Sequence, residues 1–191
     1  INKLIKDYVN AAKRAISIGF QIIEIHAAHG YLLHSFMSPI SNKRIDKYGG
    51  NHKGRIKILL DIVEAIRKEI PEKIPIFCRI SAIDGIKDGW TIRDSVVLSK
   101  ILSKKGVDVI DCSSGGIIGR PRFAISENGE PLKNHTDRGL GFQVPLADEI
   151  KKKVKINTMA VGVIVNPNQA EEILKSNQAD LIAMGRELMY N

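Results

Sequence analysis

The chain has 191 residues, 43% of them hydrophobic and 26% charged, and a formal net charge of +8. That length suits one domain with a substantial core, and no apolar run reaches the length of a membrane span. No signal peptide is visible at the start, and no membrane partner is expected; the free thiols below suit a reducing cytoplasm. Cys78 and Cys112 lack metal-ligand spacing and are too few for a disulfide framework, which predicts buried free thiols. The positive charge is spread along helix faces. Its one dense run, Lys151-Lys152-Lys153-Val154-Lys155, falls at a predicted helix C-terminus, where cations suit the helix dipole. Few aromatics lie near it to stack bases, so a solvated helix end is expected and no nucleic-acid partner.

In chain order, Leu4, Ile5, Tyr8, Val9, Ala12 and Ile16 mark one face of a first helix that ends at Gly19. Gln21 to His26 reads as a strand, followed by a helical pattern at Leu32, Leu33 and Phe36. Ile56, Leu59, Leu60, Val63, Ile66 and Ile70 predict a long helix stopped by Pro71. Pro75 to Ser81 is the second strand. Thr91-Ile92-Arg93-Asp94 resembles a capping box and opens a helix through Val97, Leu98, Ile101 and Leu102. Val107 to Ser113, Ile156 to Val161 and Asp180 to Gly185 are three further strands. Between them lie helices at Pro145 to Lys153 and from Asn166-Pro167 onward, the latter with Asn as cap and Pro at the first position.

Such alternation implies a parallel sheet covered by helices. The chain opens at Ile1 inside an amphipathic helix and stops at Asn191 just after a predicted strand. A piece of a longer product is expected. One long polar segment, Gly115 to Gly141, follows a strand and is expected to be an active-site loop on the ligand face.

The most informative stretch is His26-Ala27-Ala28-His29-Gly30-Tyr31. It leaves the carboxyl end of a strand, where α/β proteins bind ligands. Two imidazoles there can hold one oxygen and a phenol can give one proton. Taken alone, the pair is as well read as two loop histidines, and Tyr31 as a tyrosine packed on the next helix. Arg79 sits between apolar Phe77 and Ile80, where an unpaired guanidinium is costly. It is either salt-bridged or part of a site.

Five motifs in order resemble the Old Yellow Enzyme family of flavin-dependent ene-reductases, and its bacterial branch with two site histidines. They are Ile23 to Leu32; Ser38-Pro39 with Asn42, Arg44, Asp46, Tyr48, Gly49 and Gly50; Arg79-Ile80-Ser81; Ala160-Val161-Gly162; and Met184-Gly185-Arg186-Glu187. The resemblance implies a TIM (β/α)8 barrel of roughly 250 residues or more. Residues 1–191 would form a partial flavin-binding barrel domain with strands resembling the fourth to eighth. The first three strands, and the cysteine near the flavin ring that they carry in this branch, have no counterpart. Gly54 departs from the pattern, which often has Asn before the arginine at Arg55; a weaker loop contact is expected.

The same resemblance implies FMN as cofactor, NADPH or NADH as hydride donor and a small enone or nitro substrate. It also implies a homo-oligomer when full length. His26 and His29, with Ala27 and Ala28 between them, would grip the substrate oxygen. Tyr31 would protonate Cα, since phenols keep their proton at neutral pH. Arg79 would stand beside the flavin N1 and O2. Gly162, Gly185 and Arg186 would hold the phosphate. Arg44, Asp46 and Tyr48 read as a structural loop, and His34, His52 and His135 as surface or loop residues. No metal is implied. The related dienoyl-CoA reductase type, with further iron–sulfur and flavin domains, and a non-catalytic half-barrel that binds or assembles are the alternative readings.

Overall fold

A computed structural model describes residues 1–118 and 139–190. The expected active-site loop therefore lies mostly outside the described residues, as does His135. The element order is α1 (Asn2–Ser17), β1 (Ile23–Ala27), α2 (Leu32–Met37), α3 (His52–Glu69), β2 (Ile76–Ser81), α4 (Ile92–Lys104), β3 (Val109–Ser113), α5 (Val144–Val154), β4 (Asn157–Val161), α6 (Pro167–Lys175), β5 (Leu181–Ala183) and α7 (Glu187–Tyr190). All five strands are parallel and lie side by side in chain order. A helix makes each crossover, as parallel pairing requires.

The two faces of the sheet follow from strand alternation. Ile23, Ile25 and Ala27 of β1, and Ile76, Cys78 and Ile80 of β2, belong to the hydrophobic core under the helices. The alternate residues, among them Glu24, His26, Arg79, Asp111 and Ser113, point to the inner face. The central strand β3 is buried along its whole length. Both cysteines are free and buried, and burial raises each thiol above its ordinary range.

Helix α3 buries more than one stripe. Ile58 and Ile62 join Ile56, Leu59, Val63 and Ile66 inside, because the helix packs under the sheet and against both α1 and α2. In α4 the capping box forms as expected between Thr91 and Asp94. Its inward face differs: Ser95, Leu98, Ser99 and Leu102 are buried, while Val97 is half exposed. Ser95 is tolerated inside because it accepts from Trp90 Nε1 (2.6 Å) and donates to the Ala82 carbonyl (2.8 Å).

Among the described residues all five strands start one or two residues later than their apolar runs suggest, and aspartates explain two of these shifts. Asp108 accepts from the Ile76 amide (2.8 Å) and Asp180 from the Thr158 amide (2.9 Å), so each acid serves a neighbouring strand before its own begins. Asp180 also pairs with Lys151 at 2.9 Å. That lysine is mostly buried rather than a solvated helix end, and it ties the start of β5 to α5. The loop 42–50 is structural, as read. Arg44 pairs with Asp46, the Gly50 amide donates to the Arg44 carbonyl, and Asn42 Nδ2 donates to the carbonyls of Phe36 and Tyr48. Gly54 lies in close contact with this loop. A Cβ there would lie 2.0 Å from the Gly49 carbonyl oxygen, so only glycine lets the helix start approach. Arg55 then donates to the carbonyls of Gly50 and Met37.

Candidate active site

The turn after β1 places His29 at φ 59° and Gly30 at φ 75°. It is pinned from two sides. The His29 amide donates to Ser81 Oγ (2.9 Å), and Ser81 Oγ donates to the Gly115 carbonyl (2.7 Å). Gly30 also presses on the turn after β3: a Cβ on Gly30 would sit 2.2 Å from the Gly116 oxygen, and one on Gly116 would sit 2.3 Å from the His29 carbonyl carbon. Two backbones touch there because neither residue carries a side chain.

The turn brings the three predicted rings together. The His26 ring lies 5.2 Å from His29 and 5.4 Å from Tyr31, centroid to centroid. Tyr31 is exposed, and His29 Nε2 lies 2.6 Å from Ser113 Oγ. Burial lowers the pKa of both imidazoles, and the Arg79 charge adds to it; His29 falls to about 4. Both rings are therefore neutral at pH 7, each with one N–H to donate and one nitrogen to accept.

This has a consequence for stability. The ordinary histidine value is 6.5 and the folded one about 4, so between these pH values the unfolded chain binds the extra proton. The contribution of His29 is intact above pH 6.5 and is lost as pH falls towards 4. Thermal unfolding should show a falling midpoint across this window, and His29→Gln should flatten it. An unchanged slope in the variant would remove His29 as the source.

Arg79 of β2 stands between His26 of β1 and Asp111 of β3 in the sheet register. It pairs with Asp111 at 3.2 Å, and the Asp111 side chain is wholly buried. Burial raises the Asp111 carboxyl to about 7; Arg79 opposes the rise, while the charge of Glu24 adds to it. The salt-bridged reading of Arg79 therefore holds, and its charge also acts on the two histidines.

Beyond His29 the inner end of the sheet opens on a cavity of about 630 Å³, lined by Ser113, Gln143, Gly162, Gly185 and Arg186 among others. Gly162 has φ 119°, and a Cβ there would meet Gln143 and Phe142 within 3 Å. At Gly185 a Cβ would meet nothing within 4 Å among the described residues. Gln143 was not foreseen from sequence. It accepts from Ser114 Oγ (2.5 Å) and donates to the Val161 carbonyl (2.9 Å), joining the ends of β3 and β4 across the cavity floor.

The whole chain, residues 1–191, matches the NADH:flavin oxidoreductase / NADH oxidase family. The chain belongs to that family. It is 45% identical over 191 residues to an NADPH dehydrogenase of Listeria innocua, covering 100% of this chain and 52% of that protein. It is 43% identical over 203 residues to an NADH:flavin oxidoreductase of Gibberella zeae, covering 100% of this chain and 46% of that protein. The chain spans about half the length of the curated relatives it matches. Among solved structures it resembles an Old Yellow Enzyme homologue of Zymomonas mobilis, with TM-score 0.72 and 27% identity, over 97% of this chain and 48% of that one. It also resembles a 2-naphthoyl-CoA reductase, with TM-score 0.82 and 26% identity, over 97% of this chain and 27% of that one. The fold is accordingly a partial (β/α)8 barrel, and the family's cofactors are FMN and a nicotinamide nucleotide.

The residues present fit an FMN phosphate end. The cavity, the open space at Gly185, the positive φ of Gly162 and the cation of Arg186 suit an anion approached by backbone amides. One expectation is overturned. His34, read as a surface or loop residue, is fully buried on α2. It is inside because both its ring nitrogens have partners there: the Gly30 amide at 2.9 Å and Asp84 Oδ1 at 2.8 Å. His52 is partly covered, its ring stacked on Trp90 at 5.1 Å.

Proposed function

We propose that this chain forms the substrate and phosphate side of an FMN-dependent ene-reductase. NADPH or NADH would be the electron source, and the acceptor an alkene activated by a carbonyl or nitro group. One juxtaposition carries the reading. Two neutral imidazoles and an exposed phenol meet within ring-contact distance, beside a paired arginine and a cavity with an open glycine end.

Bound FMN supplies the hydride that adds to the substrate Cβ. His26 and His29 donate hydrogen bonds to the activating oxygen and stabilise the negative charge that grows on it. Tyr31 delivers its hydroxyl proton to Cα, and water returns one to the phenolate. Arg79, held by Asp111, would face the pyrimidine edge of the flavin and balance its charge. Gly162, Gly185 and Arg186 would hold the phosphate.

The test is the double variant His26→Ala, His29→Ala, in the whole reading frame that carries this chain. Oxygen contacts exist in ground and transition states, so KM should rise, kcat should fall and titration of the flavin absorbance with a phenol should weaken. Unchanged titration would remove the pair from the site. Residues 1–191 alone should behave differently. Over the described residues their sheet has free edges at β1 and β5. Weak FMN retention and self-association on gel filtration are expected, and a monodisperse yellow protein that oxidises NADPH with an enone would contradict this.

The likeness to 2-naphthoyl-CoA reductase favours a second reading, a CoA-ester reductase with further domains. Iron–sulfur absorbance in the purified whole protein would decide for it, and its absence for the simpler enzyme.

A further inference from the structure

The buried His34 is better explained by the candidate site than by the core. Its neighbours on α2, Leu33 and Met37, face the same apolar interior. An imidazole there must have both nitrogens satisfied. Nδ1 accepts from the Gly30 amide (2.9 Å), so the ring proton sits on Nε2, which donates to Asp84 Oδ1 (2.8 Å). Asp84 is itself fixed: its other oxygen accepts from Ser38 Oγ (2.6 Å) and the Trp90 amide (2.7 Å). The Asp84 amide closes the loop by donating to the Trp90 carbonyl (2.9 Å). His34, Ser38, Asp84 and Trp90 are each at most 2% exposed.

The acceptor end of this chain of bonds reaches a particular amide. Gly30 lies between His29 and Tyr31, in a turn whose two positive φ angles offer no helical or sheet partner for that N–H. Tyr31, the N-cap of α2, makes no side-chain capping bond. Beside the backbone bond from the Ser35 amide to the Tyr31 carbonyl (2.8 Å), the His34 ring is thus a side-chain tie between the turn and α2.

We propose that His34 is a positioning residue of the active site. Braced by Asp84, its ring holds the Gly30 amide and so sets where the His29 imidazole and the Tyr31 phenol stand relative to each other. The inference rests on the reading that His29 and Tyr31 touch substrate. It extends the site to a buried network that joins α2 to the turn after β2.

Two near-isosteric variants separate this role from plain core packing. Asparagine places an oxygen where Nδ1 lies, and glutamine places a nitrogen donor where Nε2 lies. His34→Asn keeps the acceptor for Gly30 and loses the bond to Asp84. His34→Gln keeps the bond to Asp84 and loses the acceptor. Each leaves one buried partner unpaired, so both should lower the unfolding temperature by similar amounts. The reading frame that carries this chain is used, loaded with FMN. The readouts are hydrogen exchange of the Gly30 amide, binding of 4-hydroxybenzaldehyde by flavin absorbance, and kcat and KM with 2-cyclohexen-1-one.

In His34→Gln the Gly30 amide should exchange roughly tenfold faster and the phenol should bind roughly tenfold more weakly, the scale of one hydrogen bond. In His34→Asn both should stay within about twofold of the parent, the smaller end of that scale. Losses that track the unfolding temperature equally in both variants, or no change in either, would overturn the proposal. If the parent binds no phenol, the ene-reductase reading fails, and the exchange comparison alone decides whether His34 holds the turn.

Discussion

Tyr31→Phe should slow the alkene half-reaction by on the order of 10²-fold and leave flavin reduction by the nicotinamide nucleotide unchanged. General acids contribute about 10²–10⁴, and the exposure of Tyr31 selects the lower end. Its side chain is 65% accessible, so water can reach the same carbon and replace part of the lost proton transfer. The two half-reactions use different groups of this chain. The hydroxyl is needed only when Cα gains its proton. Stopped-flow absorbance follows each half separately. Equal slowing of both, or of neither, would count against Tyr31 as the donor, whatever happened to steady-state turnover.

Arg79→Met should be the most damaging single change to the fold. It removes the cation beside a carboxylate that is wholly buried and leaves Glu24 as that group's charged neighbour. Breaking a buried ion pair from one side costs about 3–5 kcal/mol. Arg79 keeps some contact with water, so on the order of 2–4 kcal/mol is expected here. Asp111 can escape part of this by taking up a proton, since burial already raises it to about 7. A group raised in the fold is bound to its proton there while the unfolded chain has released it, so its penalty grows as pH rises. The variant should therefore lose more stability at pH 8 than at pH 5.5, and Asp111→Asn in the same background should restore much of it. Equal losses at both pH values would mean that Asp111 is not the group left stranded. Flavin affinity should stay low in the double variant, because the guanidinium is still absent.

The sequence reading located every strand among the described residues, and the reason is local. Apolar runs and period-3.6 stripes are properties of neighbouring residues, as are the capping box at Thr91 and the Asn166-Pro167 start. The three rings of the site were legible for the same reason, since six consecutive residues carry them. What was missed depends on partners far along the chain. His34 looked like a surface histidine because its partner Asp84 is 50 residues away. Gln143 reads as an ordinary polar residue until the fold sets it between Ser114 and Val161. Asp111 sits in an apolar run, and only the sheet register shows that it faces Arg79. Its one signal was the arginine itself, whose charge between apolar neighbours demanded a partner somewhere. Strand ends shifted where aspartates served adjacent strands, which no single-strand pattern encodes.

The contact of Gly30 with Gly116 makes two distant segments a single exchangeable part. Neither position accepts a side chain while the other backbone stays in place. A loop from a relative grafted after β3 will seat only if it arrives with a residue as small as glycine at 116 and meets glycine at 30. Random libraries at either position should yield mostly unfolded or inactive clones. Variation aimed at substrate range belongs on the exposed Ile118 beside the contact, where new shapes can be tried without prying the two turns apart.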